Sequence, residues 1–146
     1  MSEQQQILTI QQAIDLAMQH HTAGRLSQAK IIYQQILQND SNQPAVLHLL
    51  GILAHQMGEL DNAVNLITKA LTLRPDDAEA HNNLGNALQQ IGEPDQAVTS
   101  YQTAIDIKPD YAEAHSNLSV VQQKLGQLEE AIVSSHKARD IKPDYA

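Results

Sequence analysis

Apolar residues return along this chain at helical spacing, stop, and start again. Between residues 78 and 109 the first run is Leu84, Ala87, Leu88 and Ile91. That is the i, i+3, i+4, i+7 pattern of one buried helix face. Gly92 follows, a residue that ends a helix cheaply in the left-handed conformation. A second run, Ala97, Val98, Tyr101, Ala104, Ile105 and Ile107, predicts a second helix. Pro94 opens it where a missing N–H costs little, and Pro109 prevents it from continuing. The segment therefore predicts two antiparallel helices.

The same pattern recurs at a fixed interval. Gly24, Gly58, Gly92 and Gly126 stand 34 residues apart, as do Ala29, Ala63, Ala97 and Ala131. A period of this length is the mark of a repeat array, not of one irregular core. Four units follow a leader at 1–9; they run 10–43, 44–77, 78–111 and 112–145. The seventh place of each unit is Leu (Leu16, Leu50, Leu84, Leu118) and the eighth is small (Ala17, Gly51, Gly85, Ser119). Small residues at the eighth and twentieth places are expected where paired helices touch, because a larger side chain would hold the backbones apart. The first unit is the most divergent, ending Asn39-Asp40-Ser41 where the others reach Pro75, Pro109 and Pro143.

This arrangement resembles the tetratricopeptide repeat (TPR) family. The resemblance implies an all-α, right-handed solenoid of four helix-turn-helix units, eight helices in all, with the first helix of each unit on the concave face. A narrower resemblance lies in Ala78-Glu79-Ala80-His81-Asn82-Asn83-Leu84-Gly85 and Ala112-Glu113-Ala114-His115-Ser116-Asn117-Leu118-Ser119. These segments look like the TPR arrays of O-linked N-acetylglucosamine transferases and SPINDLY-type proteins. In such arrays a sixth-place Asn ladder holds the backbone of a bound peptide. Asn83 and Asn117 match that place, whereas the earlier units carry Asp15 and Leu49 there.

On this arrangement the groove changes character along its length. Its N-terminal half presents Ile14, Met18, His48, Leu49, Ile52 and His55, an apolar stretch with histidines. Its C-terminal half presents Asn82, Asn83, Asn86, Gln90, Asn117 and Lys124. An amide side chain offers both a donor and an acceptor, so the second half suits an extended peptide backbone and the first an apolar anchor. The expected function is non-catalytic protein–protein interaction through this groove. Alternatives are the substrate-recruiting arm of a larger glycosyltransferase-like or other modifying enzyme, and a self-assembling scaffold.

Composition narrows the partners. The chain has 146 residues, with 17 acidic against 9 basic and a formal charge of −8. Phosphate binding needs clustered Lys and Arg, so a protein or peptide partner is expected and nucleic acid is not. Some TPR domains clamp a chaperone's C-terminal carboxylate; Lys124 as the sole groove base argues against that mode here. There is no Phe, Trp or Cys, so the core must be built from Leu, Ile, Val and Ala, and thiol chemistry is excluded. The most apolar stretch, Ala45 to Ala54, is too short to span a bilayer. The start Met-Ser-Glu-Gln-Gln-Gln has no basic or apolar character, so a cytoplasmic location without membrane insertion is expected.

The seven histidines form no i, i+4 pair, so neither a metal nor another cofactor is expected. His81 and His115 stand at equivalent places and are expected to serve packing between units. Ser134-Ser135-His136 lacks the third group that would orient a nucleophile. Leu128, Ile132 and Val133 on the last helix are expected to be partly uncovered, a face suited to homo-oligomers or to further chain.

Overall fold

The computed structural model describes residues 8–144 and contains eight α-helices among them. They are α1 (Ile10–Thr22), α2 (Leu26–Asn39), α3 (Pro44–Gln56), α4 (Leu60–Leu73), α5 (Ala78–Ile91), α6 (Pro94–Ile107), α7 (Ala112–Lys124) and α8 (Leu128–Ile141). No strand occurs among the described residues. Of the leader, residues 1–7 lie outside them, as do Tyr145 and Ala146.

Helices pair in sequence: α1 with α2, α3 with α4, α5 with α6, α7 with α8. Each pair then packs on the next through α2–α3, α4–α5 and α6–α7. The odd helices also reach one another, α3 to α5 and α5 to α7. They therefore lie on the tighter, inner side of a curved solenoid, with the even helices outside.

Local chemistry sets the boundaries. Thr9 caps α1 in a capping box: its Oγ1 accepts from the Gln12 N–H at 3.1 Å, and its own N–H donates to Gln12 Oε1 at 2.9 Å. Asp77 caps α5 by accepting from the Ala80 N–H. Gly92 ends α5 at φ 94°, and Gly24, Gly58 and Gly126 adopt the same left-handed conformation in the corresponding turns. Side chains there would face strain, not crowding, since a Cβ on Gly92 would meet nothing.

Gly85 is constrained differently. A Cβ there would lie 2.5 Å from the ring of Tyr101 on the paired helix α6. Gly51 meets Ile67 of α4 in the same way. The small eighth place thus receives the large twenty-fourth. Ala29, Ala63 and Ala97 at the twentieth place are wholly buried, and Ala131 almost so.

The core is a chain of clusters along the solenoid. One joins Ile14, Tyr33, Ile36, Val46, Leu50 and Leu53; another joins Leu88, Tyr101, Leu118 and Val121. On α8, Leu128 is 62% exposed and Ile132 57%. Val133 is also exposed, but it stands at a place that is exposed in every pair, as at Ile31, Asn65 and Thr99. It belongs to the outer surface and not to the end face on which a further pair would stack.

Candidate interaction surface

The inner face is built from bonds that cross from one helix pair to the next. Asn83 Nδ2 lies 2.9 Å from His48 Nε2, and Asn117 Nδ2 donates to Asn82 Oδ1 at 3.1 Å. His21 and His55 hold Gln56 and Gln90, each through Nε2 and Oε1 at 2.6 Å. All four pairs span 35 residues. The stacking therefore sets each place beside the next place of the following unit: fifth against sixth, twelfth against thirteenth. In the first joint the corresponding residues are Ile14 and Leu49, and there Leu49 packs on the cluster that contains Ile14. Each fifth-and-sixth pair is matched in kind, apolar with apolar and polar with polar.

This pairing distributes the anticipated groove residues. Ile14 is in the core and Leu49 half covers it. His48 is buried; its Nε2 accepts from Asn83, so its proton sits on Nδ1, facing the Asp77 carboxylate at 3.7 Å. Burial holds its pKa below the ordinary value, and the nearby Asp77 and Glu79 offset this only in part. Asn82 is 1% exposed. Its oxygen accepts from Asn117, and its nitrogen donates to Glu113 at 3.4 Å. Beside it, burial together with Glu113 and Glu79 pushes the Tyr111 phenol up to about 12. The amides anticipated as a free ladder thus each have a partner inside the protein, and Asn82 has little capacity left for a ligand. The partners stand one unit and one residue apart in the sequence, a register that only the stacking of the pairs reveals.

Other residues do face outward. Met18, 44% exposed, lies over a shallow depression with Asp15, Gln19, Thr22 and Ala23. Ile52 is half-buried. His55, Asn86, Gln89, Gln90 and Lys124 line a polar depression of about 310 Å³ between α3, α5 and α7. The Asn86 and Gln90 oxygens there each already accept a bond. Tyr101 Oη donates to Asn86 Oδ1 at 2.6 Å, with Gln89 Oε1 at 3.1 Å. His55 donates to Gln90 Oε1. The Asn86 and Gln90 amide N–H groups and the Lys124 ammonium are left as donors around the depression.

The sequence-equivalent histidines act as joints. His81 Nε2 donates to the carbonyl of Pro75 and His115 Nε2 to that of Pro109, both at 2.9 Å. No group of three or more His, Cys, Asp or Glu side chains among the described residues could hold a metal ion. None of the described helices is long and apolar enough to cross a membrane.

Antiparallel helix pairs stacked through a regular joint, with odd helices inside, define an α-solenoid repeat protein. A family model described as TPR repeat matches residues 53–92 and 90–126, together just over half of the chain. The chain belongs to the tetratricopeptide repeat family. Among solved structures, a crystal structure of MamA is 30% identical, with a TM-score of 0.83 over 87% of this chain and 74% of that one. A second crystal structure of MamA protein is 29% identical, with a TM-score of 0.85 over 92% and 73%. A MamA fragment from Desulfovibrio magneticus RS-1 shares the fold at 24% identity, with a TM-score of 0.84 over 92% and 76%. No curated protein matches. These comparisons carry the repeat family and give no support to the narrower resemblance to O-linked N-acetylglucosamine transferase arrays. A protein-interaction or scaffold module is the class of function that the fold and its neighbours define.

Proposed function

We propose that the inner face, formed by repeats at 10–43, 44–77, 78–111 and 112–145, holds an extended segment of a partner protein. The observation that carries this reading is the committed oxygens of Asn86 and Gln90. With these oxygens held by Tyr101 and His55, the amide N–H groups and the Lys124 ammonium are the groups left for a ligand at the depression these residues line. An acceptor-rich ligand is the complement, and the carbonyls of an extended backbone are the commonest such ligand. Met18 and Ile52, further toward the N-terminus, offer the apolar contact that would fix a neighbouring side chain.

The test keeps shape and removes donors. Asn86→Asp still accepts from Tyr101 and Gln90→Glu still accepts from His55, while both lose the outward N–H. Binding of partner peptides, followed by fluorescence anisotropy, should weaken by about tenfold in the double variant, which corresponds to loss of one or two hydrogen bonds. Unchanged affinity would sink the reading.

A second reading, association between copies, is favoured by one observation: the exposed Leu128 and Ile132 on α8. Sedimentation velocity across concentration, with Ile132→Glu as comparison, separates it from binding on the inner face.

A further inference from the structure

A third depression lies away from the inner face, at the joint between the first two helix pairs. It measures about 420 Å³ and is lined mainly by leucines: Leu37 of α2, Leu47 of α3, and Leu66 and Leu73 of α4. Its rim is Ser41 and Asn42 of the α2–α3 turn and Lys69 of α4.

Two departures from the repeat coincide at this opening. In the third and fourth pairs the fourth-place residue is His81 or His115, and its ring reaches the carbonyl of the preceding proline. Here the fourth place is Leu47, and Ser41 stands where the proline would be. The cross-joint bond is lost and an apolar floor stands in its place. At the next two joints the residues equivalent to Leu66 are Ser100 and Ser134, and those equivalent to Lys69 are Thr103 and Lys137, so the leucine lining, and its combination with a basic rim, are particular to the first joint.

The rim has a definite electrostatic character. No acidic residue lines the depression. Asp40, next to Ser41 in the chain, is occupied on both oxygens, by the Asn42 N–H at 3.0 Å and by Gln43 Nε2 at 2.9 Å. Those bonds also fix the turn that forms the wall. Among the described residues the Lys69 ammonium has no ion-pair or hydrogen-bond partner, in a chain that carries a net charge of −8. An apolar floor beside an unpaired ammonium complements a ligand with large apolar side chains next to a carboxylate.

We infer that the outer joint between α2, α3 and α4 is a second docking site, which takes an acidic amphipathic helix of a partner protein through two large apolar side chains one turn apart, its carboxylate meeting Lys69. The spacing follows from helix geometry, since side chains at i and i+4 share one face. The depression has room for two leucine-sized groups. The site is separate from the inner face and does not depend on the reading given for it.

The test fills the site with the protein's own solution. Leu47→His with Ser41→Pro restores the pair that the chain uses at its other two joints. A labelled helical peptide with two leucines four residues apart, flanked by glutamates, is titrated by fluorescence anisotropy. A peptide with lysines in place of the glutamates is run beside it, and laurate is added as an apolar anion that is not a peptide. The glutamate peptide should bind the unaltered chain and the Asn86→Asp/Gln90→Glu variant equally, and the filled variant about tenfold more weakly. Lys69→Glu, a surface change that does not threaten folding, should reverse the preference toward the lysine peptide. Equal affinity for the filled variant, with its helicity intact, would overturn the proposal. So would loss of binding in the inner-face variant alone, binding of laurate with neither peptide, or a Lys69→Glu chain that keeps the original preference.

Discussion

Two tyrosines at the same place of the repeat have opposite fortunes. Tyr33 and Tyr101 are both fully buried; Tyr101 lies against Gly85 at the eighth place of the paired helix, and Tyr33 shares a cluster with the eighth-place Ala17. Tyr101 Oη has Asn86 at 2.6 Å. Tyr33 Oη is buried with no hydrogen-bond partner, because the residue at the place of Asn86 is Met18 in the first pair. An unsatisfied buried hydroxyl costs about 1–3 kcal/mol. Tyr33→Phe should therefore leave stability unchanged or raise it by about 1 kcal/mol, whereas Tyr101→Phe should lower it by about as much. Urea midpoints of the two variants, measured side by side, decide the matter; equal losses would contradict this account. Tyr33 also shows how the divergence of the first unit works: a change at an outward-looking place on α1 strands a hydroxyl in the core.

At the level of helices, the joint between α3 and α5 should depend on pH through His48. Burial depresses its pKa, so the folded chain favours the neutral ring, and protonation would place two donors face to face at the Asn83 contact. For a group whose folded pKa is lowered, the unfolded chain binds the proton first. Its contribution is therefore fully present above the unfolded value of about 6.5 and is lost as pH falls through and below it. Urea midpoints should drop between about pH 7.5 and pH 5.5, and the drop should be smaller in His48→Gln. How much of this was legible in the sequence follows from what is periodic. The helix pairs, the glycine turns and the eighth-place contacts recur every 34 residues and could be read directly. The partners of Asn82, Asn83 and Asn117 could not, because they depend on how one pair is stacked on the next. That stacking is a property of the superhelix, and it turns residues that look free on one helix into bonds between two.

Across the whole molecule, stability is a chain of nearest-neighbour joints, so the weakest joint sets where the array opens. The α6–α7 joint has the His115–Pro109 bond and, alongside it, the Asn82–Asn117 and Asn82–Glu113 contacts. The α2–α3 joint has none of these. It has the leucine-lined depression, the stranded Tyr33 hydroxyl in the adjoining core and two contacts between exposed or part-exposed side chains, the His21–Gln56 bond from α1 to α3 and the Lys30–Glu59 ion pair from α2 to the start of α4. Solvent screens exposed contacts of that kind, and they stabilise little. Among the described residues the first and the last helix pair each pack on one other pair, so the comparison between them isolates the joint. Amide hydrogen exchange followed by mass spectrometry should show α1 and α2 losing protection before α7 and α8, with α5 and α6 the slowest. Leu47→His with Ser41→Pro should slow exchange in α1 and α2 and leave α7 and α8 unchanged, since it supplies the missing bond at one joint only. Simultaneous opening of all eight helices, or earlier opening of α7 and α8, would show that the joints are not the units of stability. If the first joint does open first, a partner helix seated in its depression would raise protection of α1 and α2 by mass action, so occupancy of that site would be readable in the same exchange data.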